Sequence, residues 1–333
     1  MEQDLRLEME KVRRAVDAEL RRIRAEKSFP LDLYEATFHL LLSGGKRIRP
    51  FLTVKTAQMF DSEFDAALPP AVAVELLHNF TLIHDDIMDR DEFRRGVPTT
   101  HVIWGDPTAI AAGDALFSLL FSYVVSEMRR RRIDPSVIVS AVEILSKGAE
   151  TICGGQIMDL LAEKYVSTES EYIEMVYMKT ATLFRLSSML GGIVGGADET
   201  EKKHLDSFGR NIGISFQIVD DVLGIMGRPE VTGKPVGSDL KQGKNTLILI
   251  HALKNSSEKG RMVISSVFGN KEAKPVEVEG AIDLILNLGS VDFARRMAKQ
   301  YMEKAIDSLR KLPKNVHRDS IESLACFIYA RER

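Results

Sequence analysis

Between its breakers, the chain carries apolar residues three and four positions apart, and almost nowhere do they alternate as a strand requires. Breakers cluster at Pro30, Ser43-Gly44-Gly45, Pro69-Pro70, Gly96 to Pro98, Gly105-Asp106-Pro107, Asp134-Pro135, Gly195-Gly196, Gly227 to Gly237, Gly269 to Pro275, Gly289 and Pro313. The segments between them are mostly about 15 to 30 residues long, which suits helices. Val291, Ala294, Ala298, Tyr301, Ala305 and Leu309 form a typical stripe facing a core. No linker is long enough to divide the chain, and no period repeats. The pattern predicts one all-α domain over residues 1–333, a single large bundle of roughly a dozen helices around a central cavity.

Composition narrows the class. With 44% hydrophobic and 28% charged residues and a net charge of -3, the chain reads as a soluble globular enzyme without the basic excess of a nucleic-acid binder. Arg129 to Arg132 read as the cation-rich end of a helix. Cys153 and Cys326 stand in no metal-ligand spacing and are expected to be buried thiols in a reducing compartment. The longest apolar run, Ala115 to Val125, is too short to insert stably in a bilayer. Met1 to Lys27 alternates acids and bases without an apolar run, so a cytoplasmic protein is expected.

The candidate chemistry starts at His84-Asp85-Asp86-Ile87-Met88-Asp89, followed by Arg94-Arg95-Gly96. Helix formers precede it, so Asp85 and Asp89 fall at i and i+4 with directions about 40° apart, within reach of one hard cation or a neighbouring pair. Magnesium suits such carboxylates, and the two arginines offer planar forks for phosphate oxygens. Alone, the stretch reads equally well as a solvated helix end. A second acidic pair, Asp220-Asp221, shifts the weighing, because it lies inside the apolar run Phe208 to Met226, where carboxylates are costly unless compensated. Gln217 sits one turn earlier and can point its amide into the same space, while Gly224 makes this second pair a DDxxG.

Basic groups that could face these acids are scattered. Ser43-Gly44-Gly45 precedes Lys46 and Arg49, which reads as an anion cradle or as a plain helix boundary. Lys179 and Thr180 interrupt an apolar helix, where the bland alternative is a snorkelling lysine. Lys234 and Lys244 flank a glycine-rich loop that reads as a phosphate-closing lid or a solvated turn.

Together these residues resemble the trans-isoprenyl diphosphate synthases, the polyprenyl synthetase family, through five motifs in the expected order from about Leu41 to Thr246. The resemblance is to archaeal-type geranylgeranyl diphosphate synthases in particular. It implies an isoprenoid-synthase bundle around a deep cavity, a homodimer, and magnesium, three ions with allylic diphosphate bound. Lys46, Arg49, His78 and Arg95 then correspond to ligands of isopentenyl diphosphate, and Asp85, Asp89 and Asp220 to metal ligands. Arg94, Lys179, Thr180, Gln217, Lys234 and Lys244 match the groups that hold the allylic diphosphate, with Thr180 and Gln217 also offering dipoles to an allylic cation. Gly224 departs from the last aspartate of the second motif. The implied activity is condensation to geranylgeranyl diphosphate, with a farnesyl or bifunctional farnesyl/geranylgeranyl synthase as the alternative.

The resemblance also points to Phe80, Thr81 and Leu77 as setting product length. On an ideal helix Phe80 lies about 7.5 Å from Asp85 along the axis but roughly 140° around it, whereas Thr81, Leu77 and Val74 are offset by about 40°, 80° and 20°. The last three would therefore line the wall beneath the metals. Asp86, about 100° from Asp85, should matter less. A terpene cyclase would have no use for a second diphosphate cradle, a metal-dependent phosphohydrolase would need further histidine motifs, and an inactive partner subunit would be expected to lose acids that this chain retains.

Overall fold

The computed structural model describes residues 2–162, 166–226 and 237–330. Among them are sixteen α-helices: α1 Glu2–Ala25, α2 Leu31–Leu42, α3 Ile48–Met59, α4 Phe64–Asp89, α5 Thr100–Trp104, α6 Asp106–Arg130, α7 Pro135–Leu160, α8 Glu169–Val176, α9 Thr182–Gly195, α10 Glu199–Met226, α11 Ser238–Lys241, α12 Leu247–Asn255, α13 Glu258–Val267, α14 Pro275–Asn287, α15 Ser290–Leu309 and α16 Val316–Ala330. A π turn, Tyr177–Ala181, joins α8 to α9, and the described strands are the two-residue β1 Phe93–Arg94 and β2 Val97–Pro98. The all-α expectation holds; short helices such as α5 and α11 raise the number above a dozen.

The chain divides into two compact units, one of residues Met1–Ala149, Leu186–Asp206 and Arg310–Ser323, the other of Glu150–Arg185, Ser207–Leu309 and Leu324–Arg333.

In the first unit α4 packs between α3 and α6. Pro69 and Pro70 were expected to break the chain but lie inside α4. Ala67 and the run Ala71 to Leu77 are buried, and that apolar packing outweighs two missing amide donors near the start of the helix. By length and composition α4 and α6 could each cross a membrane, but 72% of the apolar window of α4 is buried within the protein, which marks a core helix. Beyond α4, β1 and β2 pair antiparallel with Arg94 opposite Val97. Arg95 and Gly96 close this hairpin with φ of 55° and 77°, the doubly left-handed geometry of a type I′ turn.

In the second unit the predicted stripe of α15 is buried at Val291, Ala294, Ala298, Ala305 and Leu309. Ala294 and Ala298 join a core with Ile218 of α10 and Leu247 and Ile248 of α12. Thr168 and Glu171 cap α8 reciprocally. The cysteines correct the expectation: Cys153 and Cys326 are both exposed. Cys153 shares its outward face of α7 with Ile157 and Leu160, four and seven residues on, while Gly155 and Gln156 turn inward.

Candidate active site

The acidic end of α4 separates its three aspartates. Asp85 is half-buried, Asp89 is exposed, and Asp86 is buried. Asp86 turns to the hairpin, where its Oδ1 accepts from Arg94 Nε, and its Oδ2 is shut from solvent with no hydrogen bond. Burial lifts its pKa to about 6 against the pull of Arg94, with Asp91 and Asp89 adding to the rise. Arg94 also reaches Asp91 at 3.3 Å. Asp86 therefore anchors an arginine of the hairpin, a larger role than its angular offset suggested. Among the described residues no group of three or more His, Cys, Asp or Glu side chains is placed to hold a metal ion. Magnesium still suits the Asp85 and Asp89 pair, because it binds through one or two carboxylates and completes its octahedron with water and substrate phosphate.

Further back along α4 stands a cationic group. Arg49 Nη1 donates to His78 Nε2 at 3.1 Å, which leaves the proton of the neutral ring on Nδ1. That Nδ1 is shut from solvent without a hydrogen bond. Burial, then the charges of Arg49, Arg95, Arg94 and Arg47, hold His78 well below its ordinary pKa. Burial brings Arg49 down to about 10, opposed by Glu75 and helped by Arg95. Arg95 is lowered by burial, opposed by Glu75, and further by Arg47 and Arg94. It donates to the carbonyl oxygens of Gly44 at 2.7 Å and Leu40 at 3.3 Å and to Asn79 Oδ1 at 3.4 Å. A Cβ on Gly45 would lie 3.3 Å from the Arg95 guanidinium carbon, so the glycine admits the side chain. Lys46 is exposed beside this group.

Beneath the cations lies a buried network that sequence reasoning missed. Arg47 donates to Asp17 Oδ1 at 2.9 Å, to Glu75 Oε1 at 2.5 Å and to the Leu41 carbonyl at 2.6 Å. Asn79 donates to the same Glu75 oxygen at 3.1 Å and steadies Arg95 through its own Oδ1. The signal was Glu75 and Asn79, polar residues four apart in an otherwise apolar run. Of the expected length-setting residues, Leu77 is fully buried, while Phe80 and Thr81 keep some surface. The Phe80 ring packs 4.9 Å from His84 and 5.0 Å from Phe117, which meets Phe121 at 5.3 Å.

The second unit carries the remaining candidates. Lys179 and Thr180 lie in the π turn, a helical irregularity common at functional sites and invisible in the apolar spacing. Its backbone is gripped on both sides: a Cβ on Gly155 would come 2.3 Å from Lys179 N, and one on Gly213 would come 2.4 Å from Ala181 Cα. Lys179 pairs with Asp159 of α7. Thr180 Oγ1 donates to Gln217 Oε1 at 2.9 Å, and Gln217 Nε2 donates to Asp221 Oδ1 at 2.8 Å. The paired aspartates of α10 part company: Asp220 is exposed, whereas Asp221 is buried and accepts from Tyr172 Oη at 2.6 Å. Burial raises Asp221 to about 7, against the hydrogen bond from Tyr172. Lys244 Nζ stands 3.4 Å from Asp239 Oδ1. A Cβ on Gly224 would lie 2.1 Å from Asp239 Oδ2, so the carboxylate of Asp239 occupies the space next to the residue that departs from the second motif. Lys234, with residues 233–236 of the expected lid, lies outside the described residues, and the rest of that loop includes the short helix α11.

Residues 31–285 match the polyprenyl synthetase family. A geranylgeranyl diphosphate synthase from Saccharolobus solfataricus is 44% identical over 282 residues, 84% of each chain. A geranylfarnesyl diphosphate synthase from Aeropyrum pernix is 41% identical over 85% of this chain and 89% of its own. The crystal structure of geranylgeranyl pyrophosphate synthetase from Pyrococcus horikoshii superposes with a TM-score of 0.90 at 42% identity, covering 98% of both chains. The chain belongs to the polyprenyl synthetase family.

Proposed function

We propose that this protein is a short-chain trans-prenyltransferase that adds isopentenyl diphosphate to dimethylallyl, geranyl and farnesyl diphosphate and delivers geranylgeranyl diphosphate. The observation that carries this reading is the succession along α4 of an anion-seeking group and a cation-seeking pair. His78 with Arg49 and Arg95 precedes Asp85 and Asp89 by seven residues or more, about 10 Å of helix. Arg49 and Arg95, whose pKa values are lowered by desolvation and by neighbouring arginines, gain from a bound anion, and the shut-in His78 Nδ1–H supplies a further donor. This is the seat of the isopentenyl diphosphate, with Lys46 at its rim.

Asp85 and Asp89, with Asp220, are the carboxylates that hold magnesium, which when bound places positive charge on the leaving diphosphate. Arg94, Lys179, Lys234 and Lys244 neutralise the same group as the allylic C1–O bond breaks heterolytically. Thr180 and Gln217 direct oxygen lone pairs at the allylic cation. The double bond of isopentenyl diphosphate then forms the new carbon–carbon bond to C1, and the resulting tertiary cation loses a proton to the released pyrophosphate. Three such cycles starting from dimethylallyl diphosphate reach twenty carbons.

The full chain acts as one cytoplasmic polyprenyl synthetase domain and pairs as a homodimer. A second copy would cover an apolar surface of α5 and α6 that includes the exposed Val102, Ile103 and Ile110. The test is incubation of the purified protein with labelled isopentenyl diphosphate, dimethylallyl diphosphate and magnesium. Chromatography of the dephosphorylated products should show the twenty-carbon alcohol. A fifteen-carbon end product would make it a farnesyl synthase, and no prenyl product would overturn the reading.

A further inference from the structure

Four side chains of the second unit form a single file of hydrogen bonds graded in burial. Tyr172 and Asp221, at 1% and 7% exposed, are interior, while Gln217 and Thr180 are only half-buried. Asp221 decides the polarity of the whole file. In its ionised form Asp221 accepts and does not donate, so with the carboxylate charged the group that faces Oδ1 at 2.8 Å is the nitrogen of the Gln217 amide, as Tyr172 faces Oδ2. The usual ambiguity between the oxygen and nitrogen of a glutamine is thereby removed. Gln217 Oε1 then faces Thr180 and must accept from its hydroxyl, at 2.9 Å. With that proton committed, Thr180 shows lone pairs on its remaining side, and Gln217 Oε1 keeps a second one.

Tyr172 holds Asp221 in place from the other side. Its phenol donates to Asp221 Oδ2 at 2.6 Å, and burial keeps its pKa well above the ordinary value, so the proton stays on the ring oxygen. Rotation of the Gln217 amide by half a turn would set NH2 against the carboxylate's rival, the Thr180 oxygen, and reverse both dipoles. The π-turn backbone, gripped at Gly155 and Gly213, leaves Thr180 little freedom to compensate.

We propose that Tyr172 and Asp221 are positioning residues that fix the amide of Gln217, and through it the hydroxyl of Thr180, with their oxygen lone pairs toward the allylic cation. Neither touches substrate; both act through Gln217. The inference rests on the prenyltransferase reading above.

Single-turnover rates in a double-mutant cycle test it, with melting temperature as a check on folding. Asp221→Leu should lower the rate of product formation about tenfold and Tyr172→Phe about threefold, while the KM for isopentenyl diphosphate changes less than about twofold. In a Gln217→Ala background each added change should lower the rate less than about twofold, because the amide on which they act is gone. Should Asp221→Leu fail to fold, the Tyr172→Phe arm of the cycle decides. Equal losses in both backgrounds, unchanged rates in the folded variants, or a loss seen mainly in isopentenyl diphosphate KM would overturn the inference. A wild-type protein that forms no prenyl product would instead overturn the proposed reaction, and the inference with it.

Discussion

The cations of the first unit and the lysines of the second are held in opposite ways. Arg49 donates to a neutral imidazole and Arg95 to carbonyl and amide oxygens; desolvation lowers the pKa of both, helped at Arg49 by the charge of Arg95 and at Arg95 by those of Arg47 and Arg94. Lys179 and Lys244 each face a carboxylate, Asp159 and Asp239. The arginines stand over a buried ion network, Asp17–Arg47–Glu75, and make up the proposed seat of an incoming anion. Partly exposed lysine pairs are worth only about 0–1 kcal/mol, so a lysine can exchange its carboxylate for a phosphate at little cost. A permanent cradle suits a substrate that stays intact through the carbon–carbon bond-forming step. Exchangeable charges suit a diphosphate that arrives as an ester and leaves as free pyrophosphate.

The largest effect should separate the two acidic clusters. Asp85→Asn or Asp89→Asn should lower turnover by about a thousandfold or more under magnesium, with an unchanged circular dichroism spectrum. Asp220→Asn, which removes the single exposed carboxylate of its pair, should cost less. Equal losses would make the clusters equivalent, and wild-type turnover in either α4 variant would remove the metal assignment from α4.

Stability should separate the foundations of the two regions. Arg47→Met leaves Asp17 and Glu75 as buried acids without their shared guanidinium and should cost about 3–5 kcal/mol, read from urea melts. Asp159→Asn, which breaks the half-buried Lys179 pair, should cost about 1 kcal/mol or less. If the two variants melt together, the contrast between a fixed and an exchangeable set of charges fails.

The residues proposed to meet substrate were more legible in the sequence than those that hold them. Asp85, Asp89, Lys46 and Arg49 stand in the kind of spacing by which phosphate and metal chemistry is recognised in a sequence. Asp17 and Glu75 are buried acids whose shared partner, Arg47, comes from a distant segment, and no local pattern names it. The π turn escaped for a related reason. It adds one residue to a helical turn without disturbing the apolar spacing on either side, and the glycines that lie against its backbone, Gly155 and Gly213, come from two other helices. Gly224 looked like a lost acid, yet the position is filled by Asp239 from fifteen residues further on. Paired aspartates were read as a unit at 220 and 221, but adjacent helical positions point about 100° apart, which sends one to the surface and the other to Tyr172.

A smaller effect should appear in the pH dependence of stability. His78 is neutral in the folded protein, with its pKa well below 6.5, whereas in the unfolded chain it takes up a proton near that value. Between the folded pKa and pH 6.5 the unfolded state binds more protons, so stability is full above that window and falls as the pH drops through it. The slope from one such group is at most about 1.4 kcal/mol per pH unit. His78→Gln should flatten the fall between pH 6.5 and 5 relative to the wild type, measured by urea melts at each pH. An identical slope in both proteins would mean that the ring is not held neutral against the arginines.

The smallest expected change in rate, though not in product, belongs to the aromatic group behind the acidic turn. Phe80 does not point where the ideal helix places the metal face; its ring is caught between His84 and Phe117, and Phe117 leans on Phe121 of α6. A floor built from two helices is not removed by cutting one side chain. Phe80→Ala should therefore shift the product beyond twenty carbons only in part, and Phe80→Ala with Phe117→Ala should shift it further, while the first condensation proceeds within a few-fold of the wild-type rate. Thr81→Phe should shorten the product toward fifteen carbons, because Thr81 keeps open surface on the side of the helix closer to Asp85. Leu77, fully buried, has no open surface to offer a growing chain, and Leu77→Ala should change stability more than product length. Chromatography of dephosphorylated products from the four variants ranks them. A twenty-carbon product that persists in the double variant would move the floor off α4 and α6 altogether.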